Sequence, residues 1–270
     1  MYDFTYHRPA SLAEARAAFD ALDDAAYLSG GHTLLPAMKS RLADPSDLIS
    51  LAGLSELKGI AREGDRLVIG AAETHADVAA SPLVRETIPA LAGLAGSIGD
   101  VQVRHRGTMG GSVANNDPAA DYPSAVLALD AEIVTTDRTI AADAFFEGMY
   151  TTALEPGEIL TSIAFRIPQS AGYAKMRNPA SRYAMAATFV ARHADGVRAA
   201  ITGAGNDGVF RWSAAEDALN AAFEADALSG LTLDPADMNT DMHASASYRA
   251  HLCLLCTQRA VAGQGALTLL

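Results

Sequence analysis

Gly30-Gly31 lies between an apolar stretch and an amphipathic one, and this placement constrains the fold more than any other local feature. Residues 26–29 read as a short strand running into the glycines, 34–42 as a helix leaving them, and 47–51 as a further strand. Upstream, Ser11-Leu12-Ala13-Glu14 has the pattern of a capping box. Its serine caps one free N–H while Glu14 reaches back to another. Leu12, Ala15, Phe19 and Leu22 follow at helical spacing. The first fifty or so residues therefore alternate β and α, a short α/β subdomain.

Beyond it, residues 57–61 and 66–71 flank Glu63-Gly64-Asp65 and read as a hairpin. Thr74, Ser81-Pro82 and Pro89 signal helix starts, the last opening 90–98. Residues 99–122 are dense in Gly, Asn and Asp and read as one long loop, a feature that usually marks function in a compact chain. A short helix over 123–129 and strands over 131–135 and 159–167 complete this section. The remainder changes character. A second hairpin, 183–193 with 197–204, turns at Ala194-Asp195-Gly196, and helices follow over 213–223 and 247–262. A boundary is expected within 173–181, near Asn178-Pro179. It gives a domain of residues 1–175, with subdomains of about 1–55 and 56–175, and a second domain of 176–270 built from an antiparallel sheet and helices.

With 270 residues, 50% of them hydrophobic, the chain is long enough to bury a sizeable core and is not disordered. Its net charge of −12, without a run of Lys or Arg, argues against nucleic acid as a partner. No apolar stretch reaches the roughly 18 to 20 residues of a spanning helix, and the N-terminus lacks the layout of a signal peptide. Cys253 and Cys256 are the only cysteines, too few for a secreted disulfide scaffold. Together these point to a cytoplasmic protein without membrane insertion.

Three segments carry candidate chemistry. In Ser29-Gly30-Gly31-His32-Thr33, paired glycines let backbone N–H groups turn toward an anion with no Cβ in the way. Arg106-Gly107-Thr108-Met109-Gly110-Gly111-Ser112 repeats the device, and two such turns can clasp a diphosphate from both sides. Each also reads as a plain tight turn, and neither is a Rossmann fingerprint or a P-loop. Asn115-Asn116-Asp117 through Asp121-Tyr122-Pro123 supplies polar side chains for ribose or ribityl hydroxyls, or merely turn chemistry. By residue type Lys175 reads as a surface charge, and Tyr183 as a core or interface aromatic. Cys253-Leu254-Leu255-Cys256 reads as buried thiols in an apolar helix, and the scattered histidines show no zinc spacing.

Gly30-Gly31-His32-Thr33-Leu34-Leu35-Pro36, Gly107-Thr108-Met109-Gly110-Gly111 and residues 115–123 together resemble the flavoprotein (medium) subunits of the molybdenum hydroxylase, or xanthine dehydrogenase, family. The likeness is greatest to those of aerobic carbon monoxide dehydrogenases. It extends to Asp3-Phe4, Arg8-Pro9, Met38-Lys39-Ser40-Arg41-Leu42, Leu154-Glu155-Pro156-Gly157-Glu158-Ile159-Leu160 and Tyr248-Arg249, nearly the whole chain. The resemblance implies an α+β fold: an FAD-binding domain of the vanillyl-alcohol-oxidase (PCMH) type in two α/β subdomains, then a smaller α+β domain. It implies non-covalent FAD held by Ser29, Gly30, Gly31, His32, Thr33 and Leu34 and by Thr108, Met109, Gly110, Gly111 and Ser112. Asn115, Asp117, Asp121 and Leu160 belong to the same implied set, with Lys175 on the strand leading to Tyr183, the aromatic near the flavin ring.

The implied partners are a small subunit with [2Fe-2S] clusters and a large molybdopterin subunit, in a dimer of heterotrimers. The implied work is electron transfer, with no catalytic base and no metal in this chain. One departure stands out: where the family often has Gly-Asp before the aromatic, this chain has Ser181-Arg182-Tyr183, a cation in place of an anion. Two rival readings remain: a self-contained FAD oxidoreductase of the same fold, and a scaffold that has lost FAD.

Overall fold

The computed structural model describes residues 1–263, and residues 264–270 of the expected second domain lie outside it. The chain opens with β1 (Thr5–His7), α1 (Leu12–Asp20), β2 (Ala25–Leu28), α2 (Leu34–Lys39) and β3 (Asp47–Ser50). The three strands form a parallel sheet in the order β1-β3-β2. Ser11 caps α1 by accepting the Glu14 N–H, and the Glu14 carboxylate accepts the Ala10 N–H at 2.8 Å. The helix α2 is shorter than the expected 34–42. Arg41 takes a left-handed φ of +59°, and its N–H and that of Leu42 return to the carbonyls of Met38 and Ala37. This is the double closure that ends helices at a left-handed residue.

Next come β4 (Ile60–Glu63), β5 (Arg66–Gly70), α3 (His75–Ala80), α4 (Pro82–Thr87), α5 (Pro89–Ser97), α6 (Val101–Arg104), α7 (Met109–Asn115) and α8 (Tyr122–Ala128). After them run β6 (Glu132–Thr135), β7 (Thr139–Ala141), a two-stranded ribbon of β8 (Phe146–Gly148) and β9 (Thr151–Thr152), and β10 (Leu160–Arg166). An antiparallel sheet of order β4-β5-β10-β6-β7 results. Leu57, expected in a strand, sits in a short 3₁₀ turn. The larger correction is at 99–122, which is not one loop but contains α6 and α7. Asp100 caps the first through the Val103 N–H and Thr108 caps the second through the Gly111 N–H. Glycine is a poor helix former, but Met109, Gly110 and Val113 are buried, so tertiary packing overrides local propensity here.

The last section has β11 (Ser170–Arg177), β12 (Ala184–His193), β13 (Gly196–Thr202) and β14 (Phe210–Arg211), antiparallel and in that order, with α9 (Ser213–Ala221) and α10 (Ala246–Val261). Its first strand starts at Ser170, so 173–177 is strand and the chain leaves it only at Asn178-Pro179. The sheet separates two cores. Side chains on successive residues of a strand point to opposite faces. Ala187, Phe189 and Ala191 accordingly join the core of the preceding section, while Ala186 and Val190 face α10. A Cβ on Gly172 would lie 1.9 Å from the Ala260 carbonyl oxygen, which shows how closely α10 rests on β11. Among the described residues no helix is long and apolar enough to cross a membrane.

Candidate functional site

A cavity of about 600 Å³ opens where the two sheets of the first 170 residues meet the loop before β12. Ser29, Gly30, Gly31, His32, Thr33 and Leu34 form one wall, and Thr108, Gly110, Gly111 and Ser112 the opposite one. Asn115, Asp117, Asp121, Leu160 and Tyr183 also line it. Of the residues singled out from sequence, Met109 and Lys175 stay outside the lining. Met109 is fully buried in the core beneath the second wall.

The first wall keeps its donors free. Gly31 has a φ of +75°, the left-handed conformation that turns successive N–H groups to one side. Among the described residues, the N–H groups of Gly30, Gly31, His32, Thr33 and Leu34 have no acceptor in the protein. A Cβ on Gly30 would stand 2.2 Å from the Arg106 carbonyl oxygen, so only glycine lets this segment approach the opposite wall.

The second wall uses its donors internally. The Met109 and Gly110 N–H groups donate to the carbonyls of Glu73 and Ala71, and the Gly111 N–H donates to the Thr108 hydroxyl. Gly110 is required by packing, since a Cβ there would meet the Ala71 Cβ at 2.5 Å. Gly111 is helical, not left-handed, and a Cβ there would press on the Thr108 hydroxyl at 2.8 Å. The two walls are joined by the Ser29 and Thr108 hydroxyls at 2.9 Å.

Asp121 and Lys175 form the base of this wall. Lys175 is not a surface charge: it is 6% exposed and its ammonium is 2.8 Å from the Asp121 carboxylate. Tyr173, two residues along β11 and on the same face, donates its hydroxyl to the same carboxylate. Asp121 thus ties the N-terminus of α8 to the last sheet, and both of its oxygens have partners.

Sequence reading gave no role to His75, which lines the cavity together with Glu158, Gly107 and Arg182 from segments it had singled out. His75 is buried, and burial pushes its imidazole down to about 4, keeping it neutral at pH 7. Its Nδ1 has no partner among the described residues, and its Nε2 would lie 2.6 Å from a Cβ on Gly107. Burial pushes the Glu158 carboxyl up, but Arg138 and Thr135 outweigh it and hold the group at about 2. Thr74, read as an N-cap, was the only local signal pointing toward His75. Tyr183 is half exposed at the mouth. Burial, then Asp117 and Asp121, raise its phenol, so it remains a donor at neutral pH.

Two other motifs lie elsewhere. Cys253 and Cys256 are buried free thiols on α10, pushed up by burial. Gly203-Ala204-Gly205-Asn206-Asp207-Gly208 has the spacing of a dinucleotide fingerprint, unnoticed in the sequence, but it turns from β13 into antiparallel β14 with no helix following. It lacks the strand-to-helix context that such a motif needs.

Residues 2–170 match the family model for the FAD binding domain in molybdopterin dehydrogenase. The chain is 35% identical to the carbon monoxide dehydrogenase medium chain of Hydrogenophaga pseudoflava, over 96% of each chain. It is 34% identical to the nicotine 6-hydroxylase medium subunit of Paenarthrobacter nicotinovorans, over 97% of this chain and 98% of that one. A solved structure of reconstituted carbon monoxide dehydrogenase from Oligotropha carboxidovorans superposes with a TM-score of 0.88 at 33% identity, covering 97% of this chain and 98% of that one. Fold and cavity define an FAD-binding oxidoreductase subunit of the PCMH type. The chain belongs to the family of FAD-binding medium subunits of molybdenum hydroxylases.

Proposed function

We propose that this chain is the electron-transfer subunit of a cytoplasmic molybdenum-containing dehydrogenase or hydroxylase. It takes electrons from the [2Fe-2S] clusters of a small partner subunit and passes them to an external acceptor. A large molybdopterin subunit acts on the organic or inorganic substrate, and the whole is a dimer of heterotrimers. The observation that carries this reading is a row of unspent N–H groups, from Gly30 to Leu34, facing a hydroxyl-bearing wall across one cavity.

These residues fit FAD. The Gly30–Leu34 N–H groups suit a diphosphate, because backbone donors in such a concavity favour an anion. Ser112, Asn115 and Asp117 offer polar side chains to the sugar portion, Leu160 an apolar contact, and Tyr183 an aromatic face to the ring. Thr108 and Gly111 hold the second wall at its distance, and Met109, Asp121 and Lys175 brace it from behind. When bound, FAD supplies conversion between one-electron and two-electron chemistry.

The test is purification of the native assembly, with identification of its polypeptides, visible spectroscopy and flavin extraction by acid. We expect about one acid-released FAD per chain, from the cavity between the two glycine walls, in company with two further subunits and iron–sulfur absorbance. A lone chain whose flavin is reduced directly by a small organic substrate would instead establish a self-contained oxidoreductase.

A further inference from the structure

The second wall of the main cavity has spent its backbone donors. The N–H groups of Gly107, Met109, Gly110 and Gly111 all bond within the protein. The ladder that consumes them brings a side chain in exchange. Residues 73–75 run antiparallel to 107–109, with Thr74 opposite Thr108. The Met109 N–H donates to the Glu73 carbonyl at 2.9 Å, and the His75 N–H to the Gly107 carbonyl at 3.0 Å. Thr74 then caps α3, whose first residue is His75. This register sets the His75 ring beside Gly107, in the lining of the cavity. A Cβ on Gly30 would come within 2.9 Å of the Gly107 Cα, so the ring stands close behind the point where the two walls meet.

The orientation and protonation of the ring follow from its surroundings. His75 is 4% exposed, and its Nδ1 is a buried atom without a partner among the described residues. Nδ1 is the inner edge, and the edge turned to the cavity carries Nε2. The Tyr122 hydroxyl, on a ring whose centroid lies 5.5 Å away, is also buried and unpartnered. A hydroxyl in need of an acceptor matches a nitrogen that keeps its lone pair, which leaves the imidazole proton on Nε2. A buried N–H without an acceptor is also rarer than a buried lone pair without a donor, and this favours the same tautomer. Burial opposes a second proton and outweighs the attraction of Asp121, while His32 and Arg104 oppose it further.

We propose that His75 is a cofactor-binding residue whose neutral imidazole donates its Nε2–H to an oxygen of FAD, replacing the donors that the second wall has spent. The proposal rests on FAD occupying the main cavity, and it is independent of where the electrons come from or go. A phosphate oxygen and a carbonyl of the flavin ring both accept such a donor. A neutral group holds either one without adding a fixed positive charge to a wall whose Asp121 is already balanced by Lys175.

The experiment compares the purified native assembly with assemblies carrying His75→Phe, His75→Asn or His75→Gln. Phenylalanine keeps a ring and loses the donor. The asparagine amide reaches only to the position of Nδ1, whereas the glutamine amide reaches that of Nε2. FAD affinity is measured by flavin fluorescence, the bound diphosphate by ³¹P NMR, and the flavin carbonyls by Raman spectroscopy. We expect His75→Phe and His75→Asn to weaken FAD binding roughly tenfold, the scale of one lost hydrogen bond, and His75→Gln to recover most of it. In His75→Phe either the phosphorus resonance or a carbonyl stretch should shift, and whichever moves identifies the oxygen. FAD affinity equal to the parent's in His75→Phe and His75→Asn, equal losses in all three variants, or both spectra unchanged in His75→Phe overturns the proposal. A parent assembly that holds no FAD would instead sink the reading of the cavity, and the proposal with it.

Discussion

The two glycine pairs that face each other across the main cavity do different physical work. At Gly30-Gly31 the backbone turns left-handed at Gly31 and its N–H groups remain available. At Gly110-Gly111 the backbone is helical and the N–H groups are consumed by Ala71 and by the Thr108 hydroxyl. The first pair exists to present donors, the second to let a helix lie against β5's C-terminal end. A ligand-facing wall and a load-carrying wall can thus share a dipeptide. What separates them is where the hydrogen bonds go, because every buried N–H must be satisfied by the protein or by something bound.

The sharpest way to break this contrast is to disturb the base of the second wall. Lys175→Met leaves the Asp121 carboxylate buried without its cation, and stability should fall by about 3–5 kcal/mol in urea unfolding at saturating FAD. Adding Asp121→Asn should recover part of that loss. An unchanged urea midpoint coupled to loss of FAD would transfer Lys175 from the wall to the cofactor.

Acid comes next. The His75 imidazole is lowered from 6.5 to about 4, so between those values the unfolded chain binds a proton that the folded chain does not. Its contribution is complete above pH 6.5 and is lost as pH falls toward 4, a window worth on the order of 3 kcal/mol. Glu158, lowered from 4.5 to about 2, adds to the loss only below pH 4.5. Thermal melts of His75→Phe should therefore decline less steeply from pH 6.5 to 4.5 than the parent, the remaining slope coming from His193, whose imidazole burial also lowers. A parallel decline in both would show that another group controls the acid limb.

The smallest effects sharpen the contrast most directly. Gly31→Ala places a side chain at a φ of +75°, costing about 1–2 kcal/mol, and should weaken FAD binding roughly tenfold by reorienting the free N–H groups. Thr108→Val removes the cap of α7 and the link to Ser29, costing about 1 kcal/mol of stability with a smaller effect on FAD. Titration of the apoprotein with FAD, alongside melts, separates them. If Thr108→Val loses more FAD than Gly31→Ala, the walls have been assigned the wrong way round.

Much of the fold was legible where local chemistry is self-sufficient. Ser11 and Thr74 cap helices as their side chains dictate, and the turn at Ala194-Asp195-Gly196 joins β12 to β13. Most of the candidate site was legible too, since glycine pairs and a polar run narrow the choices for an anion. The helices within 99–122 were not. Gly110, Gly111 and Asn115 have weak helix propensity, and α7 forms because Met109 and Val113 are covered by a core assembled from distant strands. Lys175 was misjudged for a related reason: a lysine reads as exposed until an acid 54 positions away is brought to its ammonium.

By itself the sequence determined which backbone could turn. Only glycine tolerates the φ at position 31 and the approach at position 30, so the place of a phosphate-sized concavity was set by composition alone. The tertiary structure decided which polar groups remain free to meet a ligand. Satisfaction is a property of pairs: the N–H groups at 30–34 stay open, and those of Met109 and Gly110 are taken, because β5 and its following turn arrive beside one wall and not the other.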